Sequence, residues 1–239
     1  MAIDQNFNSR QGFSVNDVPI MIGLIVNTTV FTSNGTYTKN ANLVYAEVYV
    51  VGAGGSGLST VQDGGNGEAS PGGTAGATAI SRIANASIRT TEPVIVGIST
   101  ANIAGTNSVF GNTSSTFTEM VGGGGLAPSG VSIGGANFSP APAASTATGG
   151  DINISGGQGD SGKVQSLAGG QAYGGRGGDS THGRGGGANF VGASEQSNGN
   201  AGSGYGGGGS GGATGQSGSA ATGGHGANGV VIIIEYINP

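Results

Sequence analysis

Few residues in this sequence have the types and spacing that covalent or metal chemistry needs. The two histidines, His182 and His225, stand outside any metal-ligand or Ser-His-Asp pattern, and cysteine is absent. No paired-carboxylate pattern stands out either. We therefore predict no catalytic residue, no metal site and no cofactor, and we expect that the protein is not an enzyme.

Two glycine-rich stretches match known ligand-binding motifs. Gly52–Gly57 (GAGGSG) matches the dinucleotide fingerprint, but that motif needs a helix at its last glycine, and the residues that follow have no helical period. Gly174–Asp179 (GGRGGD) matches the start of a calcium-binding nonapeptide repeat, but it occurs once and Thr181 stands at the next apolar position. In a chain with 55 glycines, we attribute both matches to chance.

Binding is the chemistry for which the sequence does offer candidates. Aromatic side chains in glycine- and serine-rich loops are rigid contact groups that suit sugars and protein surfaces. With a histidine and an arginine from the same loops, the candidate receptor-binding residues are Phe138, Tyr173, His182, Arg184, Phe190 and Tyr205. The alternative is that each aromatic residue only caps the end of a glycine-rich segment.

The composition excludes several classes of protein. Charged residues are 8% of the chain, against roughly 25% in typical globular proteins. A net charge of only −5 is small for a disordered chain and favours an ordered glycine-rich architecture. Seven Lys and Arg residues argue against nucleic-acid binding, and the apolar run Val18–Val26 is too short for membrane insertion. The N-terminus lacks the pattern of a signal peptide, so we expect synthesis in a cytoplasm.

Two apolar runs bracket the glycine-rich tract, and we predict that they pair. Leu43–Val51 alternates between two faces, whereas Val230–Ile237 would aggregate if exposed and is predicted to be a central strand. The Asn34-Gly35 pair predicts a hairpin turn. Together with the β-rich stretch between them, the two runs are predicted to supply an ordinary core. Further strands are predicted at Ile20–Val26, Asn27–Thr32, Thr36–Thr38, Ala77–Ile83, Val94–Ile98, Ser108–Phe110 and Ser115–Val121.

Glycine recurs at every third residue in several places. The longest run is Gly206, Gly209, Gly212, Gly215 and Gly218. Three residues is the period of a polyproline-II-type helix, and the scarcity of proline excludes collagen. We predict short left-handed polyglycine-II helices packed side by side, whose backbone groups bond laterally. The predicted fold class is all-β plus polyglycine-II helices with essentially no α-helix, in which paired N-terminal and C-terminal strands bracket the bundle.

We divide the chain into an attachment segment, residues 1–30, and a glycine-rich body, residues 31–239. The body comprises a β-rich part (31–121), a polyglycine-rich part (122–229) and a closing strand (230–239). The alternative for the first residues is an ordinary flexible terminus. The candidate attachment residues are large and apolar: Phe7, Phe13, Ile20 and Ile22.

Several short sequence motifs occur in a characteristic order along the chain. They are FTSNGTYT (Phe31–Thr38), AEVYVVGAGG (Ala46–Gly55), TNSVFG (Thr106–Gly111), GGDINISGGQGDSG (Gly149–Gly162) and GANGVVIIIEY (Gly226–Tyr236). The series resembles the glycine-rich domain of bacteriophage tail fibres and fibre-tip adhesins over residues 30–237. That family opens with F-x-x-x-G-T-W-T and a strand ending in W-G-A-G-G. Here Tyr37 and Val51 replace the two tryptophans.

The resemblance implies a bacteriophage virion protein, assembled in the host cytoplasm, with a sandwich of polyglycine-II helices whose loops contact the bacterial receptor. Its partners would be other virion proteins, through the N-terminus, and a host surface protein or glycan. A fibre implies a trimer, although a tip adhesin can be monomeric. The alternatives are a capsid decoration or head fibre with a structural role, and an ice-binding polyglycine bundle.

Overall fold

The computed structural model describes residues 13–15, 18–20, 23–61, 66–130, 132–133, 138–165 and 170–239. Over these residues the protein is all-β, and its helical content is a single 3-10 turn, Asn85–Ser87. The strands in chain order are β1 (Phe13–Val15), β2 (Val18–Ile20), β3 (Ile25–Phe31), β4 (Gly35–Thr38), β5 (Leu43–Val51), β6 (Glu68–Ala69), β7 (Thr78–Ala84), β8 (Thr91–Ile95), β9 (Ser108–Phe110), β10 (Met120–Gly122), β11 (Ser132–Ile133), β12 (Phe138–Ser139), β13 (Ile152–Ile154), β14 (Gly162–Val164), β15 (Ala172–Gly174), β16 (His182–Arg184), β17 (Asn189–Val191), β18 (Gln196–Ser197), β19 (Ser203–Tyr205), β20 (Ala213–Thr214) and β21 (Val230–Ile237).

Two sheets form one end of the molecule, which we call the base. The first is antiparallel, in the order β13-β7-β5-β21-β3, and the second has the order β10-β9-β8-β4. Their facing side chains form the larger core, which includes the fully buried Val48, Ile233 and Phe110. The predicted central strand is confirmed, because β21 lies between β5 and β3 and pairs with both.

A buried network of polar side chains lies beside this core and links strands β3, β4 and β21. The Tyr37 hydroxyl donates a hydrogen bond to Oε1 of Glu235 at 2.7 Å, and the Asn27 amide donates to Oε2 at 2.9 Å. Tyr37 and Glu235 are 2% and 3% exposed. Since a buried carboxylate needs donors, this network fixes β4 and β3 against β21.

The predictions for the first strands need correction. The strand predicted at Asn27–Thr32 is confirmed as β3, which begins two residues earlier, whereas the strand predicted at Ile20–Val26 does not match the bounds of β2 and β3. The hairpin predicted at Asn34-Gly35 is also wrong, because β3 pairs with β21 whereas β4 pairs with β8. An Asn-Gly pair indicates only a local change of chain direction. Both β3 and β4 pair with strands that lie further along the chain. Of the attachment candidates, Phe13 lies opposite Ile20 in the β1–β2 hairpin, while Phe7 and Ile22 lie outside the described residues.

Glycine-rich segments connect the base to the opposite end of the molecule, which we call the tip. The tip contains the sheets β11-β6-β20-β18 and β12-β14-β15-β17. Strand β5 continues directly into residues 52–60, and residues 221–229 lead back into β21. The chain passes between base and tip in alternating directions along what we call the glycine segments: 52–60, 71–77, 122–127, 143–148, 155–161, 175–179, 185–188, 199–202, 206–212 and 221–229.

Backbone hydrogen bonds join the glycine segments at intervals of three residues. In segment 52–60, every third N–H group donates to the same neighbouring part of the chain. These donors are Gly52, Gly55 and Leu58 toward segment 71–77, Gly54, Gly57 and Thr60 toward segment 221–229, and Ala53 and Ser56 toward Thr106 and Ile103. Segment 206–212 repeats the pattern, since Gly209 and Gly212 donate to segment 52–60 and Gly208 and Gly211 donate to segment 175–179. Each central segment therefore contacts neighbours on several sides.

The close approach of these segments explains the glycine. A Cβ atom at Gly54, Gly57 or Gly209 would lie closer than 3.0 Å to the backbone of another segment. Among the described glycines, positive φ angles occur only at Gly111, Gly149, Gly170, Gly204 and Gly206. Most segment glycines are thus needed because they lack a side chain, so that backbones can pack directly against each other.

Candidate binding surface

The short strands of the tip align candidate residues in one row. In the sheet β12-β14-β15-β17, Phe138 pairs with Lys163, Lys163 with Tyr173, and Tyr173 with Phe190. Directly opposed residues of an antiparallel sheet share a face. The row therefore places three aromatic residues and one lysine across four strands, although the receptor-binding prediction drew the aromatics from different loops.

The two aromatic rings at one end of the row are open to solvent. Tyr173 is 37% exposed and Phe190 is 53% exposed, and their ring centroids lie 4.7 Å apart with the planes tilted by 43°. The residues flanking them along their strands are small and buried on the other face, where Ala172 and Val191 pack with Val164 in the smaller core. This packing fixes the strands, so the exposed rings form a preorganised apolar contact.

A polar depression adjoins the aromatic row. It has a volume of about 490 Å³, and Asp160, Lys163, Tyr173 and Arg176 are among its lining residues. Nη2 of Arg176 donates to both carboxylate oxygens of Asp179 at 2.6 Å. This contact of one nitrogen with both carboxylate oxygens directs the guanidinium toward Asp179 at the rim. The depression thus combines an aromatic wall with charged hydrogen-bonding groups.

Asp179 accepts hydrogen bonds from both Arg176 and the backbone of Gly185. Its Oδ1 also accepts a hydrogen bond from the Gly185 N–H at 2.7 Å. Burial by itself raises the pKa of Asp179, but the hydrogen bonds from Gly185 and Arg176 outweigh it and hold the pKa below its ordinary value. The carboxylate is therefore charged at neutral pH.

The structure separates the other three candidates from the aromatic row. His182 and Arg184 lie on β16 and pair with Tyr205 and Ser203 of β19. From β15 the chain follows segment 175–179 to β16, then returns along segment 185–188 to β17. The His182 ring lies 6.1 Å from that of Tyr49 in the base, and burial lowers its pKa. His182, Arg184 and Tyr205 therefore lie at the base end, away from the aromatic row.

Sequence reasoning missed Lys163 and Arg176 as members of the surface. A signal for the row exists, since Lys163, Tyr173 and Phe190 each lie between two residues that are small or buried: Gly162 and Val164, Ala172 and Gly174, and Asn189 and Val191. This alternation is typical of a half-buried strand. Strands of three residues are too short for the pattern to be read without knowing their partners.

Other kinds of site find little support in the described part of the chain. Gly52–Gly57 continues as an extended segment and not as a helix, so the phosphate-binding geometry of a dinucleotide site does not form there. Among the residues that the structure describes, no three His, Asp or Glu side chains cluster closely enough to hold a metal ion. Nor does the described chain contain a helix with the length and apolar character needed to cross a membrane.

The sequence of the chain matches a known family. A model of a glycine-rich domain matches residues 28–236, which include both ends of the molecule and the glycine segments between them. The chain belongs to this glycine-rich domain family. We found no curated protein whose sequence matches the chain.

Proposed function

We propose that this protein is a non-enzymatic component of a bacteriophage virion, a fibre or adhesin module that contacts the host surface with its tip. The observation that carries the proposal is the separation of the two ends. Strand β3, in which the proposed attachment segment ends, belongs to the base, whereas Tyr173 and Phe190 are exposed at the tip. A protein attached to the particle through residues 1–30 would therefore present its aromatic row outward.

The glycine segments in this proposal are a bundle of polyglycine-II helices. A helix of this type has three residues per turn, so successive N–H groups point in three directions about 120° apart. The three-residue interval of the hydrogen bonds from segments 52–60 and 206–212 supports the assignment. Such a bundle is a stiff spacer because each segment is bonded on several sides, and stiffness would hold the tip away from the particle.

The receptor in this proposal is a surface glycan. Sugar rings stack on exposed aromatic faces, and their hydroxyl groups need charged or amide partners nearby. Tyr173 supplies the aromatic face, while Arg176 and Asp160 in the adjoining depression supply the polar partners. The carboxylates of acidic sugars would suit Arg176, although that residue also bonds Asp179.

The experiment is binding of the purified full chain to intact host cells, in competition with phage, and to a glycan array. Tyr173→Ala and Phe190→Ala should each reduce cell binding by about tenfold or more, as for aromatic anchors at a binding-site centre. Tyr205→Ala is the matched control, because it removes an aromatic residue from the base end. Circular dichroism should show all three variants folded. Unchanged cell binding in both tip variants would refute the proposed surface.

A purely structural role in the head or tail remains the second candidate, because the laterally bonded glycine segments would also suit a decoration protein. The two candidates differ in one measurement. For a decoration protein, the purified chain binds particles that lack it but neither binds host cells nor blocks adsorption.

A further inference from the structure

The five-stranded sheet of the base has a second face, which the rest of the described chain covers only in part. At one end of this face, His182 lies edge-on against Tyr49 and Thr181 bonds Thr78. Along β5 and β21, Val48 and Ile233 point into the core and are 0% exposed. The alternate residues of the same strands point the other way and are partly exposed. We call this side of the sheet the outer face. Its residues are mainly apolar, which is unusual for the solvent side of an antiparallel sheet.

One row of the outer face is apolar from edge to edge. Val30, Ile232, Tyr49, Ile80 and Ile152 follow one another across the five strands by direct pairing. The residues at the two edges are the most open, Val30 being 50% exposed and Ile152 being 57% exposed. A continuous apolar row of this kind marks an interaction surface more often than isolated exposed residues do.

A second row is aromatic. Tyr236 stacks on Tyr45 with ring centroids 4.3 Å apart, and the guanidinium carbon of Arg82 lies 3.7 Å from the centroid of Tyr45. Val26, opposite Tyr236, is 56% exposed. These side chains form a rigid, flat surface, which loses little conformational entropy when a partner covers it.

The middle of the outer face carries charges of both signs. Glu47 and Arg82 pair directly across β5 and β7, and Ile234 continues the same row on β21. Asp151 adjoins Arg82 at the edge of the face, where its Oδ2 accepts a hydrogen bond from the Arg82 N–H at 3.0 Å. A surface that offers both an anion and a cation at adjacent positions is complementary to a copy of itself turned by a two-fold axis.

The size of the face also fits a protein contact. Strands about 4.8 Å apart and about seven residues long give the sheet roughly 20 Å by 24 Å, hence on the order of 500 Å² of flat area. This flat area is close to the lower limit of about 600 Å² per partner for a stable interface. In the described part of the chain, strand β3 is an edge of this sheet, and it contains neither a charged residue nor a proline, so it lacks the usual protection against pairing.

We propose that a second copy of this chain covers the outer face in a two-fold pair, with the apolar rows of the two sheets packed together. The mixed charges of Glu47 and Arg82 favour a second copy over a partner of a single strong charge. The contact also leaves the tip free, since it uses the base alone. It does not depend on glycan binding, so either proposal can fail without the other.

The test is sedimentation velocity of the full chain over a concentration series. The wild type should show a concentration-dependent species with the mass of two copies. Ile152→Lys and Val30→Lys should each weaken association by about tenfold or more, because a charge buried without a partner is costly. The matched controls are Ile98→Lys and Ile103→Lys, which change residues 57% and 52% exposed outside the face and should leave association unchanged.

A charge reversal tests the proposed complementarity. Arg82→Glu should weaken association, and the double variant Arg82→Glu with Glu47→Arg should restore it. Circular dichroism should show a native spectrum for every variant used. A wild type that stays monomeric, a three-copy assembly, or a pair that Ile152→Lys and Val30→Lys leave intact would each overturn the proposal.

Discussion

Replacing Gly209 with alanine tests whether direct backbone packing holds the protein together. Gly209 lies at the middle of segment 206–212, where its N–H donates to the Gly55 carbonyl and its own carbonyl accepts from Gly73, both at 2.9 Å. A Cβ atom there would overlap the backbone of Gly224. Segment 221–229 would have to move away, and the bonds that join it to segment 206–212 would lengthen.

The expected cost follows from three contributions. Forcing an extra methyl group into a packed interior costs about 1–3 kcal/mol. Weakening two backbone hydrogen bonds costs about 1 kcal/mol each. Alanine restricts the unfolded chain more than glycine does, and this effect stabilises the folded protein by about 0.4–1 kcal/mol. The net destabilisation of Gly209→Ala is about 2–4 kcal/mol, or about 5–15 °C in Tm for a chain of this size.

The assay is thermal and urea unfolding of Gly209→Ala beside Gly187→Ala. Gly187 belongs to segment 185–188, is exposed and has negative φ, and its Cβ would meet only the Asn200 side chain at 3.9 Å. Gly187→Ala should therefore be neutral or stabilising by up to about 1 kcal/mol. If Gly209→Ala unfolds at the same temperature as Gly187→Ala, close backbone packing is not what requires glycine in these segments.

Two predictions concern the base. Tyr37→Phe removes the hydroxyl donor 2.7 Å from Glu235 and should lower the free energy of unfolding by about 1–3 kcal/mol. The measurement is the midpoint of urea unfolding, which should fall while the slope stays unchanged. A midpoint equal to that of the wild type would contradict the role of this bond. The second concerns Glu92, whose burial raises its pKa while hydrogen bonds from Arg89 and Ser115 lower it more, so that the pKa in the folded protein lies below the ordinary 4.5. The stabilisation by this carboxylate is complete above about pH 4.5 and is lost as the pH falls through the pKa of the folded protein. In Glu92→Gln, Tm should therefore fall less steeply on the acid side of a Tm–pH profile. A profile as steep as that of the wild type would refute this role of Glu92.

Much of the fold could be predicted because its strands carry local patterns. Leu43–Val51 is observed as β5 and Val230–Ile237 as β21, and the alternation of apolar residues along β5 matches the burial of Ala46, Val48 and Val50. The core predicted from the β-rich stretch and the bracketing strands is also confirmed. These strands are seven to nine residues long, so the period of two is repeated often enough to be read.

The candidate surface was only partly predictable. Tyr173 and Phe190 were chosen as aromatic residues in glycine-rich surroundings, which is a local property. Their contact depends on the pairing of β15 with β17, whereas the separation of His182 from both depends on segment 175–179. No local pattern encodes these distances, because glycine has no side chain that could select one neighbouring segment over another.

The sequence by itself determined an all-β protein with glycine at every third residue of its longest run, and the two strands that close its base. Only the tertiary structure decided which segments are neighbours, since lateral bonds between backbones are the same for every glycine. It likewise decided that the aromatic row forms at the tip and that one face of the base sheet is only partly covered by the described chain. Both features arise from pairings between strands, which are selected by the packing of the whole molecule.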